Sequence, residues 1–150
     1  IRERKNMLIY TGNPGCGKTF FCAAMINYCW QKFECSRAWT DKIFLEKLRS
    51  CIDDGFEYSR YLSMMIDDDF MIYDDLGSTG FTDWRKEIAF EMIDYRYSSM
   101  KPTIITTNLT INEIKKTYHE RVLSRMFAKE NTIIIIDGDD KRQAENKQNS

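Results

Sequence analysis

The residues best suited to chemistry lie near the N-terminus, where a glycine-rich segment ends in a lysine and a threonine. The segment matches the phosphate-binding pattern G-x-x-x-x-G-K-[ST]. Together with the next residue it forms our candidate nucleotide-binding set: Gly12, Asn13, Pro14, Gly15, Cys16, Gly17, Lys18, Thr19 and Phe20. Such a loop holds a phosphate with successive backbone N–H groups, and its three glycines are expected to reach backbone angles that other residues avoid. Lys18 is expected to neutralise β- and γ-phosphate oxygens, and Thr19 to offer its hydroxyl to Mg²⁺. The sequence therefore predicts a site for ATP or ADP with Mg²⁺.

Two carboxylates follow an apolar run at residues 70–73. In a sheet that carries a phosphate-binding loop, the strand ends beside the phosphates are where acidic groups are useful. We expect Asp74 to hold Mg²⁺, mostly through water, and Asp75 to polarise an attacking water, which would make the domain a hydrolase. The alternative is a solvated acidic turn, because three further aspartates stand just upstream at residues 67–69.

A third polar side chain, Asn108, ends the apolar and threonine-rich run at residues 103–107. An amide beside the γ-phosphate can orient water, because it donates and accepts hydrogen bonds together. An asparagine after a strand is otherwise a common turn residue or helix cap. Its position after the glycine-rich loop and the acidic strand favours the catalytic interpretation.

Strands and helices alternate along the chain in a way that can bring these side chains together. This alternation predicts an α/β fold, a five-stranded parallel sheet between helical layers. The predicted strands are residues 7–11, 36–40, 70–73, 103–107 and 132–136. Apolar periodicity predicts helices at residues 18–32, 41–51, 84–97, 112–117 and 121–128. Asp41 is expected to cap the second of them.

Composition narrows the class of protein. The chain has 150 residues with a net charge of −1, so one domain is expected and no overall field attracts nucleic acid. No apolar stretch approaches the roughly 20 residues that span a bilayer, so membrane insertion is not expected. The five cysteines form no C-x-x-C pair and suit free thiols in a reducing cytoplasm, while a single histidine disfavours zinc. Because the chain begins at Ile1 with a charged run, we expect a fragment whose N-terminal part is missing.

The order and spacing of these motifs resemble the AAA+ ATPases, and within them the DnaC and DnaI type helicase loaders and the IstB-type transposition helpers. The resemblance runs from about Lys5 to Arg142. Besides the glycine-rich loop, it rests on Asp74-Asp75-Leu76-Gly77 as Walker B, Asp94-Tyr95-Arg96-Tyr97 before Lys101-Pro102-Thr103, Thr106-Thr107-Asn108-Leu109 as sensor 1, and Glu120-Arg121-Val122-Leu123-Ser124-Arg125-Met126 as an arginine-containing helix.

The resemblance implies an AAA+ core over residues 1–142 without a C-terminal lid domain. Residues 143–150 are polar and show no periodicity, so we expect a disordered tail there. It also implies a homo-oligomer with ATP sites between subunits, in which an arginine of a neighbouring copy reaches the γ-phosphate. Arg125 matches that position best, Arg121 is the reserve, and Lys141-Arg142 could supply part of a cationic contact. The surface-helix alternative for both arginines stays open.

The same resemblance implies two partners, a replicative helicase bound through a region missing here, and single-stranded DNA. Residues 78–84 could contact DNA with hydroxyls and with the rings of Phe81 and Trp84. Those rings could equally pack, and the loop could cap a helix. Residues 56–65, with Tyr58, Arg60 and Tyr61, are a second DNA candidate for which amphipathic core packing is the favoured alternative.

Three other functions compete with an ATP-dependent helicase loader. An IstB-like transposition helper would bind duplex DNA and a transposase. A nucleotide-dependent scaffold with little turnover is suggested by Asp75, which is one methylene shorter than the glutamate of many AAA+ proteins. A small-molecule kinase is disfavoured, because no arginine-rich lid is visible and the arrangement of Asn108 and Arg125 would be unexplained.

Overall fold

The computed structural model describes residues 7–31 and 36–136. The expectations for the charged N-terminal run, for Lys141-Arg142 and for the polar tail lie outside these residues. Within them the strands are β1 (Met7–Gly12), β2 (Ser36–Thr40), β3 (Phe70–Asp74), β4 (Thr103–Thr107) and β5 (Thr132–Ile136). The helices are α1 (Lys18–Cys29), α2 (Asp41–Arg49), α3 (Gly55–Ile66), α4 (Asp83–Ser98), α5 (Ile111–Thr117) and α6 (Glu120–Met126).

The five strands form one parallel sheet in the order β2-β3-β4-β1-β5, which confirms the predicted fold class. Every residue of the central strands β3 and β4 is buried, as expected where both faces of a parallel sheet are covered. The strands β1 and β3 each run one residue further than predicted, to Gly12 and Asp74. These extra residues place the start of the glycine-rich loop and the first carboxylate at the same edge of the sheet.

Helices cover the two faces of the sheet unequally. In the described part of the chain, α1 packs on one face through Cys22 and Cys29, which contact Phe70, Ile72 and Ile104 of the sheet. The other helices build the larger core on the opposite face. Its most buried members are Phe44, Leu48, Met65, Met71, Met92, Ile93, Ile105, Ile114 and Met126. None of the helices in the described residues is long and apolar enough to cross a membrane.

A buried arginine joins the elements at the amino ends of β3 and β4. The Nε of Arg96 donates to Thr103 Oγ1 at 2.6 Å, and its Nη1 donates to the carbonyls of Ile66 at 2.8 Å and Asp68 at 2.9 Å. Its Nη2 donates to the carbonyl of Pro102 at 2.8 Å. Burial lowers the pKa of Arg96 to about 10, so the guanidinium stays charged at neutral pH. One side chain thus ties the end of α3 and the starts of β3 and β4 to α4.

The cap of α2 differs from the prediction. The hydroxyl of Thr40 caps this helix by accepting from the backbone N–H of Ile43 at 3.3 Å, and Asp41 is the first helical residue. Threonine caps helices as aspartate does. The carboxylate of Asp41, which was expected to cap, is buried and bonds residues of β3 and of the loop after it.

Candidate nucleotide-binding site

The glycine-rich loop connects β1 to α1 at the carboxyl edge of the sheet. Gly15 and Gly17 adopt φ values of 81° and 98°, which confirms that these positions need glycine. Gly17 is also the N-cap residue of α1. Because glycine has no side chain, it offers no side-chain acceptor to the first N–H groups of the helix. Such N–H groups at a helix start are well placed to bind phosphate.

Gly12 serves a different purpose from the one predicted. It lies in β1 with no positive φ, so unusual backbone freedom does not explain it. A Cβ at this position would stand 2.4 Å from the carbonyl oxygen of Ile136. Gly12 is therefore required because β5 passes close beside the start of the loop.

The Lys18 ammonium lies inside the loop that it was predicted to serve. Only 6% of Lys18 is exposed, and its Nζ donates to the carbonyls of Gly12 at 2.7 Å and Asn13 at 2.9 Å. It also lies 3.6 Å from the Sγ of Cys16. The cation thus sits where a bound phosphate chain would meet the loop.

Thr19 and Asp74, the two predicted Mg²⁺ ligands, are in direct contact. The Thr19 hydroxyl donates to Asp74 Oδ2 at 3.0 Å, while Asp74 Oδ1 accepts from Thr106 Oγ1 at 2.5 Å and from the Cys22 thiol at 3.7 Å. Burial and the nearby Asp74 raise the pKa of Cys22 to about 12, so this thiol keeps its proton. One hydroxyl and one carboxylate fit Mg²⁺, which takes few protein ligands when phosphate oxygens and water supply the rest.

Asp75 and Asn108, the predicted water-activating pair, also meet. The amide Nδ2 of Asn108 donates to Asp75 Oδ1 at 2.7 Å. Asp75 has a φ of 66°, a left-handed conformation that aspartate tolerates better than most residues and that is common at functional sites. Burial, and after it the charge of Asp74, raises the pKa of Asp75, although Lys18 and Asn108 act in the opposite direction. A carboxylate with a raised pKa is a better proton acceptor.

Thr106 was quoted in the sequence only as part of the sensor 1 motif, and its own contribution to the site was missed. Its hydroxyl donates to Asp74 and accepts from the backbone N–H of Asp75 at 2.9 Å, so one side chain holds the Asp74 carboxylate and the Asp75 backbone. The sequence contained a signal, a threonine two residues before Asn108 on the neighbouring strand. The signal is weak because threonine is also a common strand residue for packing reasons.

These side chains border a single cleft of about 580 Å³. Asp75 and Asn108 face the loop and the start of α1 across it. Its lining residues are Pro14, Gly15, Gly17, Lys18, Thr19, Phe20, Asp75 and Asn108. Most of the predicted site therefore lies around one space, with Asp74 buried beneath it.

Arg125 and Arg121, the two candidates for an arginine finger that reaches the γ-phosphate of a neighbouring copy, lie outside this cleft. Arg125 is half-buried on α6, where its Nε donates to Asp94 of α4 at 2.6 Å. Arg121 is exposed and lines a separate cleft of about 600 Å³ between α4 and α6. Since neither arginine borders the nucleotide cleft of its own chain, each could act only on a nucleotide held by another copy.

Residues 78–84, which form the loop before α4 and the first two residues of that helix, are fixed by hydrogen bonds and packing within the chain. The N–H and hydroxyl of Thr79 both donate to Asp41, and Thr82 caps α4. The ring of Phe81 meets Tyr118 edge-on at 6.2 Å between centroids, and Trp84 packs against the core. The structure thus favours the packing interpretation of these two rings.

The strand order, the phosphate-binding loop after β1, the acidic end of β3 and the amide at the end of β4 define a P-loop domain of the AAA+ class. The described residues end with β5 and include no lid domain. The chain belongs to the family of IstB-like ATP binding proteins, whose profile matches residues 1–149.

Similar proteins include a helicase loader and a protein of an insertion sequence. The chain is 26% identical over 135 residues to the replicative helicase loader DnaC of Escherichia coli (strain K12), covering 89% of this chain and 55% of DnaC. It is 36% identical over 110 residues to an ATP-binding protein of insertion sequence IS1162 from Pseudomonas fluorescens, covering 73% of this chain and 46% of that one. A crystal structure of the DnaC helicase loader matches with a TM-score of 0.76 at 26% identity, covering 91% of this chain and 81% of that chain. The chain thus spans about half the length of these curated relatives.

Proposed function

We propose that this chain is the ATP-hydrolysing AAA+ domain of a replicative helicase loader, which binds single-stranded DNA under the control of its nucleotide state. The observation that carries the proposal is the pairing of Thr19 with Asp74 and of Asp75 with Asn108 beside one phosphate-binding loop. The first pair suits metal binding and the second suits water activation. Similarity to DnaC supports the loader role.

The proposed reaction is the attack of water on the γ-phosphate of ATP, giving ADP and phosphate. The backbone of the loop and Lys18 hold the phosphate chain, and Thr19 with Asp74 would hold Mg²⁺. When bound, Mg²⁺ neutralises charge on the phosphate oxygens. Asp75 accepts a proton from the attacking water, while Asn108 fixes the carboxylate that receives it.

Hydrolysis by this site is proposed to need a second copy of the chain. Among the described residues that line the cleft, Lys18 is the one cation. The charge that develops during phosphoryl transfer calls for more positive charge than Lys18 and a bound Mg²⁺ give. An arginine of α6 from a neighbouring copy would supply it, with Arg125 as first candidate and Arg121 as reserve.

The proposed surface for single-stranded DNA lies on α2 and α3. Leu62, Met65 and Ile66 of α3 face the core, as the packing alternative required. On the outer surface of the helix pair, exposed Lys47 and Arg60 lie over the ring of Tyr61, at 5.7 and 4.7 Å from its centroid, and Arg60 also pairs with Glu57. The Tyr61 ring is itself half-buried against the core. Phe56, 75% exposed, is the second residue of α3. Cations for phosphates and rings for bases suit sequence-independent binding of single strands.

The proposal is tested by ATP turnover across a protein concentration series, with and without single-stranded DNA. We expect turnover that rises steeply with concentration, because the site is shared, and that changes when DNA is added. Tight ATP binding with flat, negligible turnover would contradict the hydrolase and support the nucleotide-dependent scaffold.

Lys18→Ala is the first variant to measure. It removes a cation that contacts two loop carbonyls and would contact phosphate oxygens, so ATP affinity should fall on the order of 100-fold. Equilibrium binding of a fluorescent ATP analogue reports this directly. Lys42 is exposed on α2, so Lys42→Ala is the matched control, and its affinity for ATP should equal that of the parent chain. Unchanged affinity in Lys18→Ala would contradict the assignment of the phosphate site.

A transposition helper is the second candidate function, because of the family profile and the 36% identity to the insertion-sequence protein. Such a helper would bind duplex DNA and a transposase. Competition between single-stranded and duplex DNA of equal length separates the candidates. Preference for duplex DNA would favour the transposition helper over the helicase loader. The proposal for the ATPase site would stand in either case.

A further inference from the structure

Asp41 is a buried carboxylate that the nucleotide chemistry does not use. It is 4% exposed and begins α2. Its Oδ1 accepts from the Tyr73 hydroxyl at 2.9 Å, and its Oδ2 accepts from the Thr79 N–H at 3.2 Å and the Thr79 hydroxyl at 2.6 Å. Carboxylate oxygens accept hydrogen bonds, and all three of these partners donate. Asp41 therefore fastens α2 to β3 and to the loop after β3.

That loop, residues 75–82, starts with the proposed base and is tightly wound. The N–H of Ser78 donates to the carbonyl of Asp75 at 2.9 Å, and the N–H of Gly80 donates to that of Gly77 at 3.2 Å. Thr79 is held from the other side as well, since its carbonyl accepts from Arg85 of α4. Thr79 thus contacts both α2 and α4. It also follows directly on the hydrogen-bonded turn that connects Ser78 to Asp75.

We propose that Asp41 is a positioning residue that couples the outer surface of α2 and α3 to Asp75 through Thr79. Single-stranded DNA bound to that surface would shift α2. The hydrogen bonds of Asp41 would transmit the shift to the loop that begins with Asp75. Contiguous hydrogen bonds between elements can transmit such a displacement. The inference rests on the proposed function, because it gives DNA binding a route to ATP turnover.

The test compares three single substitutions that each leave the cleft residues in place. Thr79→Val removes the hydroxyl bond that ties the loop, Thr79→Ser keeps it, and Tyr73→Phe removes the Asp41 bond that does not involve the loop. Each full chain is assayed for kcat, for KM of ATP and for the ratio of turnover with and without oligo-dT. Thermal melting verifies that each variant is folded.

We expect Thr79→Val to lower kcat about tenfold, which corresponds to about 1.4 kcal/mol, because the loop that carries Asp75 loses one of its bonds to Asp41. The variant should also lose the response to oligo-dT. Its KM should stay within about twofold, since the phosphate loop is untouched. Thr79→Ser and Tyr73→Phe should keep kcat and the DNA response within about twofold.

Two results would overturn the inference. One is a Thr79→Val chain with the parent's kcat and DNA response. The other is a Tyr73→Phe chain as impaired as Thr79→Val, which would mean that Asp41 acts through general stability. A parent chain without turnover, or without any response to DNA, would instead show that the proposed function itself is wrong.

Discussion

The hydroxyl of Thr106 contacts two adjacent acidic residues in different ways. Asp74 receives hydrogen bonds from Thr19, Thr106 and Cys22, which hold its oxygens where a metal ion can meet them. Asp75 is bonded to Thr106 only through its backbone N–H and turns its side chain towards Asn108. Neighbouring acids in unlike environments are a common way to divide metal binding from proton transfer.

Asp75→Asn should abolish turnover and stabilise the fold. The amide cannot accept the proton, so we expect kcat to fall about 100-fold or more. The raised pKa of Asp75 means that its charged form costs stability: the cost is absent below the carboxyl's ordinary pKa and grows as pH rises through the folded-state pKa. Asparagine removes this cost and tolerates the φ of 66°. The gain should stay below about 1 kcal/mol, because water screens a partly exposed group.

Thermal denaturation at neutral and at acidic pH checks the stability half of this prediction. The melting temperature of Asp75→Asn should exceed that of the parent chain at pH 7, and the difference should shrink as Asp75 itself becomes protonated. Asp83→Asn, at an exposed aspartate at the start of α4, serves as the control. A variant that melts lower than the parent at pH 7 would contradict the raised pKa, and full turnover would contradict the role as base.

The sequence predicted the residues of the candidate site better than the residues that position them. Lys18, Thr19 and Asp74 follow from motif chemistry, because phosphate and Mg²⁺ demand particular groups at fixed spacing. The tasks of Asp41 and Thr106 depend on partners more than 30 residues away, as the separations of 38 and 32 residues show. No local pattern encodes such pairs, so they emerge only from the packed fold.

At the scale of elements, the sequence specifies where strands occur and leaves their order open. The bounds of β2, β4 and β5 match the prediction, since each is a compact β-prone run between polar or helical segments. The order β2-β3-β4-β1-β5 depends on contacts between segments distant in sequence. Arg96 was quoted only as part of a motif, because arginine is rarely fully buried and nothing local marks this one as the exception.

Arg96→Met should destabilise the sheet by about 3 kcal/mol or more. Methionine fills much of the same volume but leaves the carbonyls of Ile66, Asp68 and Pro102 without their donor. Urea denaturation followed by circular dichroism measures the free energy of unfolding. Arg60→Met removes an equally long side chain from an exposed ion pair on α3 and should leave that free energy unchanged within error. Equal stability of the two variants would contradict the structural role of Arg96.

At the scale of the whole molecule, the nucleotide cleft and the arginines of α6 belong to separate surfaces. The ion pair of Arg125 with Asp94 is no obstacle to a role in another copy's site. Both side chains are about one-third exposed, and such pairs contribute about 1 kcal/mol or less. Contact with a nucleotide's γ-phosphate can replace that pair, because phosphate offers charged acceptors to the same guanidinium.

Arg125→Ala should therefore leave ATP affinity unchanged and remove the turnover that appears on assembly, by about 100-fold or more. Arg121→Ala is the matched comparison on the same helix, and the larger loss identifies the finger. A mixing experiment makes the argument specific to a shared site. Lys18→Ala chains keep Arg125 but are expected to bind ATP on the order of 100-fold more weakly. Arg125→Ala chains hold ATP but lack the arginine, so a mixture should regain part of the turnover that each lacks alone. Loss of turnover in Arg125→Ala without rescue by Lys18→Ala would mean that Arg125 acts within its own chain, by holding α6 against α4 through Asp94.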